Sequence, residues 1–393
     1  MNRREFAEQY SRRRFLRQLS MGMGAVVALP DIATSWPSRQ QEKYYKVWEN
    51  MKELPEEEKL GIALVGLGMY SRGQLAPALQ ETKLCKLSGI VTGTPAKADE
   101  WSARYSIPEE NIYNYETYDQ IADNPDIDII YVVLPNGMHA EYTIRAAEAG
   151  KHVICEKPMA TSVEDCRKMI EACHKANRKL SIGYRLHFEP YNQEMMHMGQ
   201  EEVLGPVRAI QTGNGFTMGN TPDVWRLDKE LAGGGPLMDM GIYSVQGAIY
   251  TMGKLPVAIT AREETTNERL FDEVEETMFW QMEFPGGAIA DCETSYSRNM
   301  SYIRARAAKG EFELAPAYGY GGIRGNTSKG RMDFPQVNQQ ALQMDAFADC
   351  ILNNKETRVP GEMGMRDVKI LTAIYEAAET GQKVPLEFDM VRG

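Results

Sequence analysis

The fold is decided by residues 61–71, Gly61-Ile62-Ala63-Leu64-Val65-Gly66-Leu67-Gly68-Met69-Tyr70-Ser71. The apolar run reads as a buried strand, and it breaks at Gly66-x-Gly68 into a helix that starts near Ser71. Gly66 permits a tight turn, and Gly68, without a side chain, lets the backbone approach a pyrophosphate. The N–H groups opening the helix then present a partial positive charge to that pyrophosphate. The third glycine position of the dinucleotide fingerprint is Ser71, so the turn alone is a weak signal, and an ordinary strand–turn–helix is the other reading. On the dinucleotide reading, Gly66, Leu67, Gly68, Met69 and Tyr70 contact the cofactor.

The alternation continues downstream. Residues 72–80 read as a helix with Leu75, Ala78 and Leu79 on one face, and 84–91 as a second strand. Residues 126–134, DIDIIYVVL, are nearly continuous in Ile and Val, as suits a parallel strand covered on both faces. That strand ends at Leu134 and runs into Pro135-Asn136-x-x-His139. Loops at the carboxyl ends of such strands face the ligand, which makes Leu134, Asn136 and His139 cofactor candidates. A helix over 140–148 stops at Gly150. The strand from His152 ends in Glu156-Lys157-Pro158 and brings Glu156 and Lys157 to the same edge. Thr161-x-x-Glu164 is a capping box for the next helix, and 180–184 is the closing strand. Residues 59–184 therefore form a doubly wound α/β sheet, a Rossmann dinucleotide-binding domain.

The end of the second strand selects the cofactor. An NAD site places Asp or Glu there, about 20 residues past the glycines, to hold the ribose 2′-hydroxyl. Here the strand runs into Val91-Thr92-Gly93-Thr94-Pro95-Ala96-Lys97, with no carboxylate. Thr92 can hydrogen-bond a 2′-phosphate and Lys97 can neutralise it, so the reading is NADP over NAD. The alternative is that Lys97 is only a surface lysine at the start of a helix over 98–105.

At 393 residues the chain exceeds one ordinary core, so two domains are expected. A net charge of -11 leaves nothing to neutralise phosphates over a broad surface, which argues against nucleic acid. Six scattered cysteines lack CxxC or Cys/His ligand spacing, so they read as buried thiols and no metal site is expected. Ser11-Arg12-Arg13-Arg14-Phe15-Leu16-Arg17 is a twin-arginine pattern, followed by an apolar stretch too short to span a bilayer. Residues 1–29 are thus an export signal, which implies a periplasmic protein with no stable membrane span. Residues 30–58 read as an arm or linker, with a short helix over 40–52 and the aromatics Tyr44, Tyr45 and Trp48.

The remainder, 185–393, reads as a substrate-binding and oligomerisation α+β domain. Strands are expected over 207–216, 258–264, 275–284, 288–296, 302–307 and 311–314. Met278, Trp280, Met282 and Phe284 alternate with more polar neighbours, the mark of a sheet with one buried face. Pro285-Gly286-Gly287 and Lys309-Gly310 make short turns, hence antiparallel hairpins in a large, mostly antiparallel, open-faced sheet. Two helices, 337–353 and 365–380, are joined through Pro360-Gly361.

Taken together, VGLG, LPNxxHAEYxIRAAEAGKHVxCEKPMAT, IGYRxHFEPYN and GGGPLMDMGIY resemble the glucose–fructose oxidoreductase and inositol dehydrogenase family, the Gfo/Idh/MocA oxidoreductases. The resemblance runs from about Lys59 to the C-terminus, and the sugar oxidoreductases of the family match best. It implies a homodimer or homotetramer through the outer face of the second sheet. It also implies that Lys157, Asp239 and Tyr243 carry the chemistry. Most dehydrogenases of the family read Asp-x-Gly-x-His, whereas this chain reads Asp239-Met240-Gly241-Ile242-Tyr243.

Oxidising a sugar C–OH needs a base for the hydroxyl proton. A free tyrosine, with a pKa near 10, is a poor one at neutral pH. Lys157 can lower it by placing a positive charge nearby, or can hold the substrate hydroxyl itself. Asp239 and Tyr243, four apart, share one face if helical, and Asp239 can orient the sugar or the tyrosine. The resemblance adds Arg185, with Tyr184 and His187, at the mouth of the cleft. It adds Trp225 and Arg226 as a cover for the nicotinamide or a phosphate ligand, and Tyr320 as a residue closing over the sugar. The function implied is an exported NADP-dependent sugar oxidoreductase taking an aldose to its lactone, with coupled reduction of a ketose. The alternatives are a dehydrogenase with dissociable NAD(P), an NAD-dependent glycosidase, and a non-catalytic sugar sensor.

Overall fold

The computed structural model describes residues 43–219 and 224–388. The export signal read in residues 1–29, and the arm as far as residue 42, lie outside the described residues. The first element is a short helix, α1 (Tyr44–Asn50), inside the span expected from the sequence.

The nucleotide domain holds six parallel strands: β1 (Leu60–Val65), β2 (Cys85–Val91), β3 (Ile112–Tyr113), β4 (Ile129–Val132), β5 (His152–Cys155) and β6 (Leu180–Ile182). Their order is β3-β2-β1-β4-β5-β6, so the chain reverses direction between β1 and β4 and opens a crevice at their carboxyl ends. β3 is two residues long and gives no periodicity to read. The other helices here are α2 (Ala76–Ala78), α3 (Pro95–Tyr105), α4 (His139–Glu148) and α5 (Val163–Lys175). Four local expectations shift. The stretch after the glycine turn opens as a π-helical turn, Ser71–Leu75, before α2. α3 begins at Pro95, because proline suits the first turn of a helix. β4 is shorter than its apolar run. The cap of α5 is Ser162, whose hydroxyl accepts from Asp165 N, while Thr161 lies where a Cβ on Gly233 would stand 2.6 Å away.

The second domain continues with α6 (Pro190–Gln200), β7 (Val207–Thr217), α7 (Lys229–Ala232) and α8 (Ile242–Met252). Then come β8 (Ala258–Glu264), β9 (Thr277–Glu283), β10 (Ile289–Ser295), β11 (Ser297–Ala307), β12 (Gly310–Leu314), β13 (Gly325–Thr327) and β14 (Gly330–Arg331). It closes with α9 (Gln339–Leu352), α10 (Gly361–Thr380) and β15 (Val384–Pro385). The sheet runs β14-β13-β12-β11-β7-β10-β9-β8-β15 and is antiparallel except between β10 and β7. Met278, Trp280 and Met282 face inward against α8 and α10, as the alternation predicts. α10 begins at Gly361, four residues before the start that the sequence predicts; a Cβ at 361 would stand 2.9 Å from Ile170 and Leu180 side chains.

Two large cores result. One joins a face of the parallel sheet to α4, α5 and the inner face of the second sheet. The other lies on the opposite face of the parallel sheet and includes Ala341, Met344, Phe347 and Ala348 of α9. Thus a helix from the C-terminal region completes the nucleotide domain. All six cysteines are free and buried. Among the described residues no helix is long and apolar enough to cross a membrane.

Gly66 sets the crevice. Its φ is +95°, and a Cβ there would stand 2.4 Å from Val133 O. Both facts exclude a side chain. We expect Gly66→Ala to lose at least about 2 kcal/mol of stability and most nucleotide affinity. Denaturant unfolding and nucleotide titration measure the two separately; an unchanged unfolding midpoint would contradict the role assigned to this turn.

Candidate active site

The glycine turn closes on itself. Ser71 Oγ donates to Gly66 O at 2.6 Å, so the serine in the third fingerprint position holds the turn through a hydrogen bond. At Gly68 a Cβ would meet nothing within 4 Å, leaving the open space that close approach of a ligand needs. Leu67 is buried, Met69 is exposed, and Tyr70 stacks obliquely on Tyr320 at 5.7 Å between ring centroids. Tyr70 and Tyr320 thus bridge the first domain to the second across the crevice.

At the far side of the turn, Lys97 Nζ donates to Leu67 O at 3.2 Å, which brings the lysine to the glycine loop. Thr92 is buried and its Oγ1 accepts from Thr94 N at 3.2 Å. The stretch Thr92–Lys97 holds no carboxylate. Thr92 directly follows β2, and Lys97 lies in the first turn of α3.

The catalytic candidates meet between the domains. Lys157, in a cis peptide to Pro158 after β5, points its Nζ at the start of α8. There it donates to Asp239 O at 2.5 Å and Asp239 Oδ1 at 3.3 Å. Arg226 Nε donates to the other carboxylate oxygen at 2.7 Å, and the Tyr296 hydroxyl does so at 3.2 Å. Burial works to raise the Asp239 pKa, but Arg226 and then Lys157 outweigh it and hold the carboxyl well below the usual range. Burial likewise opposes the Lys157 charge, but Tyr243, Asp239 and Glu156 outweigh it and raise that pKa, so the side chain is an ammonium at neutral pH. The Lys157 Nζ sits 4.8 Å from the Tyr243 ring centroid and the Arg185 guanidinium 5.1 Å from it. A phenol flanked by two cations, one of them anchored by a carboxylate, is an arrangement for passing a hydroxyl proton.

Asp239 and Tyr243 do not share a regular α-helical face. Residues Leu237–Gly241 form a π-helical turn, and α8 begins only at Ile242. Glu275 holds that wide turn by accepting from Gly235 N at 2.9 Å and Leu237 N at 3.0 Å.

Several cofactor candidates have other duties. His139 is fully buried, with Nδ1 on Pro158 O at 2.9 Å and Nε2 on Leu134 O at 2.8 Å; it pins the Glu-Lys-Pro loop to the end of β4 and does not face the crevice. Asn136 is buried and its amide donates to Ala232 O at 2.8 Å, tying the two domains. Leu134 is a core residue beside them. Arg185 is buried; it donates to Tyr318 O at 2.7 Å and Gly319 O at 3.1 Å, which places it under the Tyr320 loop. Arg226 lies against the Trp225 ring at 4.6 Å and is committed to Asp239, so it acts on the carboxylate. Glu156 is buried and accepts from the Tyr131 hydroxyl at 2.7 Å; burial raises its pKa.

Tyr296, Glu275 and Tyr131 were not legible as site residues. Alternation along β10 puts Tyr296 on the inner face, but no local pattern names Asp239 as its partner. Glu275 lies just before β9 and gives no signal of its own.

The fold and this site define a nicotinamide-dependent oxidoreductase. Residues 60–184 match the oxidoreductase family model with an NAD-binding Rossmann fold, 192–314 the GFO/IDH/MocA C-terminal domain, and 324–386 the family's C-terminal alpha/beta domain. The chain belongs to the Gfo/Idh/MocA oxidoreductase family. It is 31% identical to the D-xylose 1-dehydrogenase [NADP(+)] of Haloarcula marismortui over 83% of this chain and 92% of that one. It is 26% identical to the D-glucoside 3-dehydrogenase of Escherichia coli over 86% and 100%. The crystal structure of aldose-aldose oxidoreductase from Caulobacter crescentus, complexed with glycerol, superposes with a TM-score of 0.81 at 45% identity, covering 84% of this chain and all of that one.

Asp239→Asn should lower kcat/KM about 100-fold or more, because two cations lose their shared counter-ion. It should also cost about 3 kcal/mol of stability at neutral pH. Since the folded-state pKa is depressed, the carboxylate's contribution is complete above about pH 4 and is lost as pH falls from there. Denaturant unfolding of both proteins from pH 7 down to acid should therefore show the gap narrowing below about pH 4; a gap that widens would refute the assignment.

Proposed function

We propose that the protein is an exported, NADP-dependent sugar oxidoreductase that oxidises an aldose to its lactone and returns the reducing equivalent to a second sugar carbonyl, such as that of a ketose, without releasing the nucleotide. The observation that carries this is the Lys157 ammonium, fixed by Asp239 and set 4.8 Å from the Tyr243 ring at the crevice. NADP, when bound, supplies the hydride acceptor; Gly66, Gly68, Thr92 and Lys97 are the residues that would hold it. Lys157 stabilises the negative charge on the substrate oxygen as its proton leaves, and on the Tyr243 oxygen in the deprotonated form that accepts that proton. Tyr243 takes the hydroxyl proton in oxidation and gives it back in reduction. Asp239 keeps Lys157 protonated and aimed. The names of the relatives support sugar hydroxyls as the substrate class. The twin-arginine segment supports export to the periplasm.

A homodimer or homotetramer through the outer face of the second sheet belongs to the same reading. That face carries Phe279 beneath Arg262 and Arg298, and Tyr302 beneath Arg304, aromatic and arginine side chains of the kind enriched at interfaces. A second reading, a dehydrogenase with exchangeable NADP, is favoured by one observation. Helix α1 of the arm lies on α6 and α9 through Gln193 and Asp345, and among the described residues none of its hydrogen bonds reaches the glycine turn.

The near-ultraviolet band of reduced nicotinamide separates the two readings. In freshly purified protein it should rise on adding an aldose and fade on adding a ketose, with no nucleotide supplied; a need for added NADP in each turnover would favour the dehydrogenase. Tyr243→Phe should reduce turnover about 100-fold or more while leaving NADP affinity unchanged, and near-full turnover would overturn the proton-transfer role. Lys97→Ala should weaken NADP binding about tenfold and leave NAD binding unaffected, as titration with both nucleotides would show.

A further inference from the structure

The aromatic contact that spans the crevice, Tyr70 on Tyr320, sits at the tip of a short loop, Tyr318–Gly322, of sequence Tyr-Gly-Tyr-Gly-Gly. Both ends of the loop are tied down. Before the tip, Ser301 Oγ accepts from Tyr318 N at 3.0 Å, Arg185 donates to Tyr318 O and Gly319 O, and Gln339 Nε2 donates to Gly319 O at 3.0 Å. After it, Gly322 N donates to Gln336 Oε1 at 2.8 Å. Among the described residues neither Tyr320 nor Gly321 makes a backbone–backbone hydrogen bond. A Cβ on Gly321 or Gly322 would meet nothing within 4 Å, so no neighbour packs on the tip from that side.

The tip is held by the Tyr320 ring. That ring is 48% exposed, yet it lies 5.7 Å from the Tyr70 ring and 4.5 Å from the Arg185 guanidinium. The same guanidinium stands 5.1 Å from the Tyr243 ring, so one buried cation positions both tyrosines. Tyr70 follows the glycine turn by two residues. Burial, and then the Glu156 carboxylate, raise its pKa well above the ordinary value, so it is a neutral phenol. Its other charged and phenolic neighbours are Arg185, Tyr243 and Tyr320, all of the catalytic region. The Tyr70–Tyr320 pair thus stands between the glycine turn and Tyr243, the two points that a nicotinamide dinucleotide has to reach together.

We infer that the Tyr70–Tyr320 contact is a latch over the nucleotide, and that parting it limits how fast a nicotinamide dinucleotide enters and leaves the crevice. The inference rests on the nicotinamide-dependent reading of this site and deepens it. No hydrogen bond of α1 reaches the glycine turn, so retention of the cofactor falls to this contact. Tyr320 and Gly321 are the moving part, and Arg185, Gln339 and Gln336 hold the ends about which they move. A single aromatic pair reinforced by one cation is weak enough to open and strong enough to slow exchange.

Nucleotide exchange kinetics test this without any sugar. Mixing protein with reduced NADP measures entry, and chasing the complex with excess oxidised NADP measures release, both from the fluorescence of the reduced nicotinamide. Tyr320→Ala should speed release about tenfold and speed entry with it, while Tyr320→Phe, which keeps the ring, should stay within about threefold of wild type. Tyr70→Ala attacks the latch from the other domain and should match Tyr320→Ala. The double variant should be no faster than either, because both substitutions remove one contact. Unchanged rates in the alanine variants overturn the latch. So does release that rises while entry does not, since that marks a ring that merely touches the ligand. Effects that multiply in the double variant overturn it as well. Should one alanine variant fold poorly, the other tests the same contact. A protein that exchanges nucleotide as expected but oxidises no sugar overturns the proposed function and leaves the latch standing; one that binds neither NADP nor NAD removes both.

Discussion

One buried carboxylate organises the catalytic region. Asp239 receives Lys157 from the first domain, and Arg226 and Tyr296 from the second. Two cations and one anion in a poorly hydrated place attract strongly, yet each also loses its water. The balance is favourable only when the geometry is good and the remaining donors are satisfied, and here the Asp239 carbonyl takes the Lys157 proton that the carboxylate does not. The same contact that joins the domains therefore fixes where the ammonium lies relative to Tyr243. Position and charge state come from one source, and neither can be altered alone.

The wide helical turns on the two sides of the crevice repay comparison. Ser71–Leu75 follows the glycine turn, and Leu237–Gly241 precedes α8. π-helical turns are rare and cluster at functional sites, because the wider ring re-aims a side chain that regular α geometry would place elsewhere. Each is held by a polar group acting on the backbone: the Ser71 hydroxyl on Gly66 O, and the Glu275 carboxylate on two N–H groups. The glycines at 233–235 make room for that carboxylate and for Tyr375, whose hydroxyl would stand 2.0 Å from a Cβ on Gly234. A string that looks like a loop in the sequence is thus a mould around an acid forty residues away.

The parallel sheet was legible because its strands are short apolar runs ending in turn residues, a local signal. The second sheet was legible from alternation, and its strands matched to within a few residues, apart from β11, which begins five residues earlier than its pattern suggests. The short strands β3, β13, β14 and β15 carry too few residues to show a period. Lys157, Asp239 and Tyr243 were found through motif resemblance, and the coordinates bring them together between the domains. What the sequence does not show is division of labour among neighbours. Asn136, His139, Arg185 and Arg226 all lie near the crevice, but burial and competing carbonyls or carboxylates decide that they brace it. Those partners come from distant segments, so no spacing rule discloses them. Asp239 and Tyr243 also depart from the four-residue helical register, since a π turn leaves no local mark.

The return of α9 to the nucleotide domain bears on when this protein can become competent. Asp345 on that helix accepts from Lys83 N and Leu84 N at the start of β2, and from Trp48 of α1. Met344 and Phe347 share a core with Ile62 and Leu64 of β1. Until residues 339–352 leave the ribosome, one face of the Rossmann sheet lacks its cover and the start of β2 lacks its acceptor. Assembly of the dinucleotide-binding half is consequently completed only once residues 339–352 have been synthesised.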